Sequence, residues 1–165
     1  MSGVLELDEE GYLNLLNTII VNRLGDAVDI ELFHDEDRVK ELVAEAHNYN
    51  VVVIMSNHDF EKVPAKYVIE FRLKKMAALG ADVPKLACMP HNAKDVLTLL
   101  SATNEVNEAI DNPLITMAMG DIGKVTRIAG QVFGSSLSFG AVGKTSAPGQ
   151  LSINDLRNAE NYLEI

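Results

Sequence analysis

The chain has a single cysteine, no Pro- or Ser-rich linker, no apolar run long enough for a bilayer, and a deficit of positive charge. Each absence excludes a class of protein. Cys88 alone cannot close an internal disulfide and its spacing fits no zinc site; among Leu86, Ala87 and Met89 it reads as a buried small hydrophobe rather than a reactive thiol. The purest apolar run, Val51 to Met55, falls far short of the roughly 20 residues that span a bilayer. Met1 to Tyr12 has neither a basic opening nor a long apolar stretch, so no secretory leader is expected and the chain reads as cytoplasmic. Lys and Arg number 14 against 24 Asp and Glu, a formal net charge of −10. That balance argues against nucleic acid or an anionic membrane as partner, because phosphate binding needs a basic surface to displace counterions. Basic residues inside a cleft still suit a small anion.

What is present is a 165-residue chain, 47% hydrophobic and 23% charged, which reads as one soluble globular unit. Short apolar runs alternate with helical patterns, the signature of consecutive βα units. A helix is predicted from Leu7 to Arg23, where Tyr12, Leu13, Leu15, Leu16, Ile19 and Ile20 recur near helical spacing and Gly25 supplies a stop. Five units follow. Their strands are Val28 to Phe33, Val51 to Asn57, Val83 to Met89, Leu114 to Met119 and Ser138 to Val142. Their helices are Asp35 to Asn50, Pro64 to Leu79, Asn92 to Ile110, Gly123 to Phe133 and Asn154 to Leu163. Doubly wound and barrel folds both fit such repetition, but a complete barrel needs eight units and about 250 residues.

A parallel strand covered on both faces should be nearly all Val, Ile and Leu, so polar residues inside these strands stand out. In Val28-Asp29-Ile30-Glu31-Leu32, alternation sends Val28, Ile30 and Leu32 to one face and both carboxylates to the other. His58 ends the second strand, where parallel strands deliver side chains to a site, although a histidine there serves structure about as often as catalysis. Lys85 lies in Val83-Pro84-Lys85-Leu86-Ala87-Cys88-Met89, and lysine is almost never fully buried without a partner or a role. The plain alternative places Lys85 before the strand, its amine reaching water. Gly140 to Thr145 ends like a phosphate-binding loop, but Ser138 stands where the first glycine is required and Pro148 lies in the first turn of the helix that should follow.

With these residues in view, the sequence resembles the type I 3-dehydroquinate dehydratases. The resemblance rests on Val28-Asp29-Ile30-Glu31-Leu32-Phe33, Ser56-Asn57-His58-Asp59-Phe60, Pro84-Lys85 before Met89-Pro90, Pro113 through Gly120, Phe133-Gly134-Ser135, and Ser146-Ala147-Pro148-Gly149-Gln150, all in the family's order. The interval of 27 residues between His58 and Lys85 is similar to that in enterobacterial members. Carried over by position, it implies a (β/α)8 TIM-type barrel enzyme of the shikimate pathway, which serves aromatic amino-acid biosynthesis. Lys85 would form an imine with the C3 ketone of 3-dehydroquinate, and His58 would take the C2 proton and give one to the departing hydroxyl, leaving 3-dehydroshikimate. Arg127 aligns with a carboxylate-binding arginine, Ser146 and Gln150 with polar residues of the loop over the substrate, and Met117, Met119 and Phe139 with apolar pocket lining. In isolation Arg127 reads as a solvated helix arginine and the others as ordinary loop or core. The resemblance implies a small anionic keto-acid substrate and no cofactor or metal.

The family's first three strands have no counterpart, and Met1-Ser2-Gly3 falls about where the third ends in glutamate-glycine-glycine. The resemblance therefore implies an incomplete α/β barrel over residues 1–165, a single truncated domain with five parallel strands and flanking helices. The missing strands carry the glutamate that pairs with the catalytic histidine, a second glutamate, and arginines that contact substrate. Asp29, on the strand beside that of His58, is the expected substitute partner. An open interior and two sheet edges are surfaces that folded proteins normally cover, so a homodimer or higher homo-oligomer is expected. The competing reading is a catalytically inactive remnant, or a small-molecule binding or interaction protein, whose motifs reflect ancestry alone.

Overall fold

A computed structural model describes residues 7–163. Met1-Ser2-Gly3, aligned above with the end of a family strand, lies outside the described residues. In chain order the elements are α1 (Glu9–Val21), β1 (Ala27–Glu31), α2 (Glu36–Asn48), β2 (Val52–Asp59), α3 (Lys66–Ala78), β3 (Val83–Cys88), α4 (Ala93–Asn107), β4 (Ile115–Ala118), α5 (Gly120–Ala129), a 3-10 turn (Gly130–Phe133) and α6 (Ile153–Leu163). Four helices start at a side-chain oxygen that accepts an otherwise orphaned backbone N–H: Asp8 from Gly11 at 2.8 Å, Asp35 from Arg38 at 3.0 Å, Asn92 from Asp95 at 3.1 Å and Ser152 from Asp155 at 3.1 Å. Each such cap contributes about 1 kcal/mol. Leu13, Leu16 and Ile20 of α1, Val39, Leu42, Val43 and Ala46 of α2, and Ile69, Leu73 and Met76 of α3 form buried stripes at helical spacing.

The strands are parallel in the order β1-β2-β3-β4. Their register sets Glu31 opposite Ser56, Ser56 opposite Lys85, and Lys85 opposite Ile115. Because side chains alternate, one face carries Val28, Ile30, Val53, Met55, Leu86 and Cys88, all buried in the core cluster that the helices complete. The other face carries Asp29, Glu31, Ser56, His58, Lys85, Ala87 and Met117, with only a small apolar cluster of Ala87, Ile115 and Met117. Among the described residues no helix is long and apolar enough to cross a membrane.

Both edges of the sheet are met by a hydroxyl. At β1, Tyr12 Oη accepts the Glu31 N–H at 3.1 Å and donates to the Asp29 carbonyl at 3.4 Å. At β4, Ser135 Oγ accepts the Thr116 N–H at 3.0 Å and donates to the Thr116 carbonyl at 3.3 Å. These hydroxyls fill part of the ladder positions that a neighbouring strand would use.

Three expectations are corrected. The strand predicted at Ser138 to Val142 does not form: within that segment Ala141 makes only an isolated bridge to Ser152, bonding Leu151 and Ile153 rather than β4. Its nearest ladder contact to the sheet is Ser136 N–H to the Leu114 carbonyl at 2.7 Å, and beyond that point Ser135 already occupies the edge of β4. The described residues thus hold four strands and six α-helices. Helix α5 begins at Gly120 rather than Gly123, because Gly120 takes φ 70° and turns β4 straight into the helix. The stop assigned to Gly25 falls earlier, at Arg23, whose φ of 50° ends α1.

Cys88 is fully buried on the helix face of β3, and burial, aided by the Asp59 and Asp95 charges, pushes its thiol up to about 12. The folded protein should therefore resist iodoacetamide at pH 8 and be alkylated once unfolded in urea, as read by mass spectrometry. Stoichiometric labelling of the native protein would contradict this placement.

Candidate active site

Where the strands end and the loops of their βα units begin, a cavity of about 260 Å³ opens. Its wall holds Lys85 from β3, His58 from β2, Met117 from β4, Met119 just beyond, Arg127 from α5, and Phe139, Ser146 and Gln150 from the segment before α6. Eight residues singled out in the sequence are thus brought together from five parts of the chain; Asp29, the ninth, is not in the wall. A hollow of about 310 Å³ between α1 and α2, lined by residues such as Asn14, Asn17 and Glu45, offers neither lysine nor histidine.

Lys85 is the third residue of β3, not a residue ahead of it, and its side chain is only 13% exposed. The amine lies 2.6 Å from Asp29 Oδ2 and 5.5 Å above the ring centroid of Phe139. It is held between a carboxylate and an aromatic face, an arrangement that stabilises a cation and fixes its direction. His58 stacks on Phe60, with ring centroids 5.9 Å apart and planes 12° from parallel, and its Nδ1 contacts Glu31 Oε1.

The expected pairing of Asp29 with His58 is therefore corrected: Asp29 holds Lys85, and Glu31 meets His58. The register explains it. Asp29 lies opposite Ile54, four residues before His58, or about 13 Å along a strand, whereas Glu31 lies opposite Ser56, only two residues before it. The sequence carried a signal for this, since Glu31 shares a face with Asp29 and stands nearer the C-terminal end of its strand.

Arg127 is 3% exposed, and burial lowers its guanidinium from its ordinary value, though not enough for such a base to lose its charge near neutrality. Its contacts are weak: Met117 Sδ at 3.6 Å and the Pro148 carbonyl at 3.4 Å, with Nε bonded to nothing. No carboxylate pairs with it among the described residues. A buried cation without a counter-charge costs several kcal/mol, and an anion in the cavity would relieve that cost. Asn57 and Thr116, also polar and buried, point the other way and are satisfied by Arg72 and Thr103 on the helices. Lys144 and Thr145, which end like a phosphate loop, are exposed, and α6 begins only at Ile153.

The segment that closes the cavity is seated on the start of α5. Gly120 N–H donates to the Pro148 carbonyl at 3.2 Å, and Ser146 N–H and Oγ both donate to Gln150 Oε1, at 2.7 and 3.1 Å. Gly149, at φ 72°, permits this contact: a Cβ there would lie 2.2 Å from the Gly120 carbonyl oxygen.

A parallel α/β sheet with a lysine, a histidine and an uncompensated arginine around one cavity at its strand ends defines a class of enzyme-like site built on βα units. The chain belongs to the type I 3-dehydroquinase family, whose model matches residues 1–165. It is 53% identical over 155 residues, 94% of its length, to the 3-dehydroquinate dehydratase of Lactiplantibacillus plantarum, of which it spans 62%. It matches the crystal structure of type I 3-dehydroquinate dehydratase from Clostridium difficile with covalently modified comenic acid at TM-score 0.92 and 45% identity, covering 98% of this chain and 64% of that one. The Geobacillus kaustophilus 3-dehydroquinate dehydratase matches at TM-score 0.94 and 35% identity, covering 98% and 63%. The chain thus spans less than two thirds of the length of these relatives.

Replacing Gly149 with Ala should lift the Ser146 to Gln150 segment off α5. The expected cost is about 1–3 kcal/mol in thermal denaturation, with faster proteolysis within residues 144–150. Gly143→Ala is the control, because Gly143 has φ 84° but a Cβ added there would meet nothing within 4 Å. Equal effects of the two substitutions would show that the contact with Gly120 does not seat the segment.

Proposed function

We propose that this chain is a 3-dehydroquinate dehydratase-like lyase that uses Lys85 to dehydrate 3-dehydroquinate to 3-dehydroshikimate in the cytoplasm, as a step of the shikimate pathway. The observation that carries the reading is the cavity itself, in which a strand-borne lysine, a histidine and a buried arginine with no carboxylate partner among the described residues face one small volume. Relatives at 51% and 53% identity are named 3-dehydroquinate dehydratase, which supports the same substrate.

The chemistry follows from the residues. Lys85 Nζ, once its extra proton has left, attacks the C3 carbonyl carbon, and the resulting carbinolamine loses water to give a protonated imine. The imine draws electron density from C2, so His58 can remove the C2 proton and then return a proton to the hydroxyl leaving C1. Hydrolysis of the imine frees Lys85, and the net change is loss of one water. Arg127 would grip the substrate carboxylate, supplying the counter-charge it lacks. Met117, Met119 and Phe139 would cover the ring, and Ser146 and Gln150 would contact its polar edge. Asp29 holds the Lys85 amine between turnovers. The inactive-remnant or binding-protein reading is not favoured, because ancestry alone does not require these side chains to remain assembled around an open cavity.

The four-stranded sheet is read as an arc of a (β/α)8 barrel wall within one domain. A second copy of the chain is the proposed cover for the polar inner face around Asp29 and Glu31. With hydroxyls on both sheet edges, such association would use the open face rather than strand-to-strand pairing.

Incubation with 3-dehydroquinate and borohydride should leave a reduced adduct on Lys85, seen by peptide mass spectrometry and absent from Lys85→Ala. No adduct above that control would overturn the covalent mechanism; 3-dehydroshikimate formation, followed separately, reports turnover. In sedimentation velocity at micromolar concentration the protein should run as a dimer or larger, and a monodisperse monomer would refute the self-association.

A further inference from the structure

We propose that Glu31 is the positioning residue for His58, holding the imidazole so that Nε2, and not Nδ1, is the nitrogen that works in the cavity. The inference rests on the dehydratase reading for its functional consequence, but the contact that motivates it is independent of any substrate.

Glu31 is the last residue of β1, and its carboxylate meets His58 Nδ1 across the β1–β2 pair. A carboxylate only accepts hydrogen bonds, so this partner requires the proton to sit on Nδ1 and leaves the Nε2 lone pair free. His58 lines the cavity together with Lys85 while Glu31 does not, so the nitrogen turned away from Glu31 is the one available to a reacting group there. Phe60 stacks on the imidazole and restricts its rotation. A general base must present a lone pair, and after taking a proton it becomes an imidazolium that an adjacent carboxylate stabilises.

Glu31 is itself anchored. Its backbone N–H donates to Tyr12 Oη, and the Tyr12 ring stacks on His34 with centroids 4.7 Å apart. His34 Nδ1 lies 3.1 Å from Glu9 Oε1, which also accepts the Asp35 N–H at 2.7 Å. Helix α1 therefore clamps the end of β1 from both sides of Glu31. The strand's other inward carboxylate is not available to His58, because Asp29 is engaged by Lys85 at 2.6 Å. One strand thus supplies two carboxylates with separate duties, one on the lysine and one on the histidine.

The test uses the full chain labelled with 15N at histidine. At a pH where the imidazole is neutral, the His58 ring nitrogens should show the Nδ1–H tautomer in the wild-type protein. Glu31→Ala and Glu31→Leu, the second close to isosteric in case the first does not fold, should lose that bias. Glu31→Gln, whose amide oxygen still accepts, should retain part of it. In the dehydration assay Glu31→Leu should lower kcat by about 10- to 100-fold, a fraction of the roughly 10²- to 10⁴-fold that a positioned acid/base supplies, with little change in KM. The borohydride adduct on Lys85 should persist, since imine formation does not depend on this contact. If the tautomer ratio is the same in Glu31→Leu as in the wild type, the proposal is overturned. If the wild type forms neither adduct nor product, the dehydratase reading fails, while the tautomer measurement still decides the role of Glu31.

Discussion

The parallel, in-register pairing of four strands sets Glu31, Ser56, Lys85 and Ile115 side by side in one row across the sheet, and the arrangement of the site depends on that row. A slip of one residue in any strand would send its polar side chains into the helix core and its apolar ones into the cavity. Such a slip is opposed by Val28, Ile30, Val53, Met55 and Leu86, which are buried against the helices on the opposite face. The hydrophobic pattern thus aims the chemistry, because burying one set of alternating residues commits the other set to the site.

Charge on the open face is divided rather than pooled. Asp29 and Glu31 leave the same strand two residues apart, yet one meets a lysine and the other a histidine: Glu31 stands two residues closer to His58 in register, while Lys85, level with Glu31, bonds Asp29 two residues behind it. Arg127 arrives from a different element and meets no carboxylate at all among the described residues. Two engaged carboxylates beside one buried cation without a counter-charge leave a locally positive corner of the cavity in a chain whose formal net charge is −10.

Most of the fold was legible because four apolar runs and their intervening helical stripes had the right periods, and Asp35 and Asn92 marked helix starts within a residue of where they occur. The run from Ser138 to Val142 misled because its composition permits a strand but it does not pair with β4: Ala141 bridges Ser152 instead, and the Ser135 hydroxyl meets the edge of β4. At the site, Lys85, His58 and Arg127 were recognisable from motifs, but the carboxylate facing His58 was misassigned. Alternation said that Asp29 and Glu31 share a face; it could not say how far along the neighbouring strand each one falls.

By itself, the sequence determined the alternation of strands and helices, the face each strand residue takes, and the family to which the motifs point. Those properties are local, set by side-chain period, capping residues and residue order along the chain. Only the tertiary structure decided which carboxylate serves which base, that Arg127 is buried with no carboxylate partner among the described residues, and that a hydroxyl meets each edge of the sheet. These depend on inter-strand register and on segments far apart in the chain meeting at fixed distances, and neither quantity is carried by any single stretch of residues.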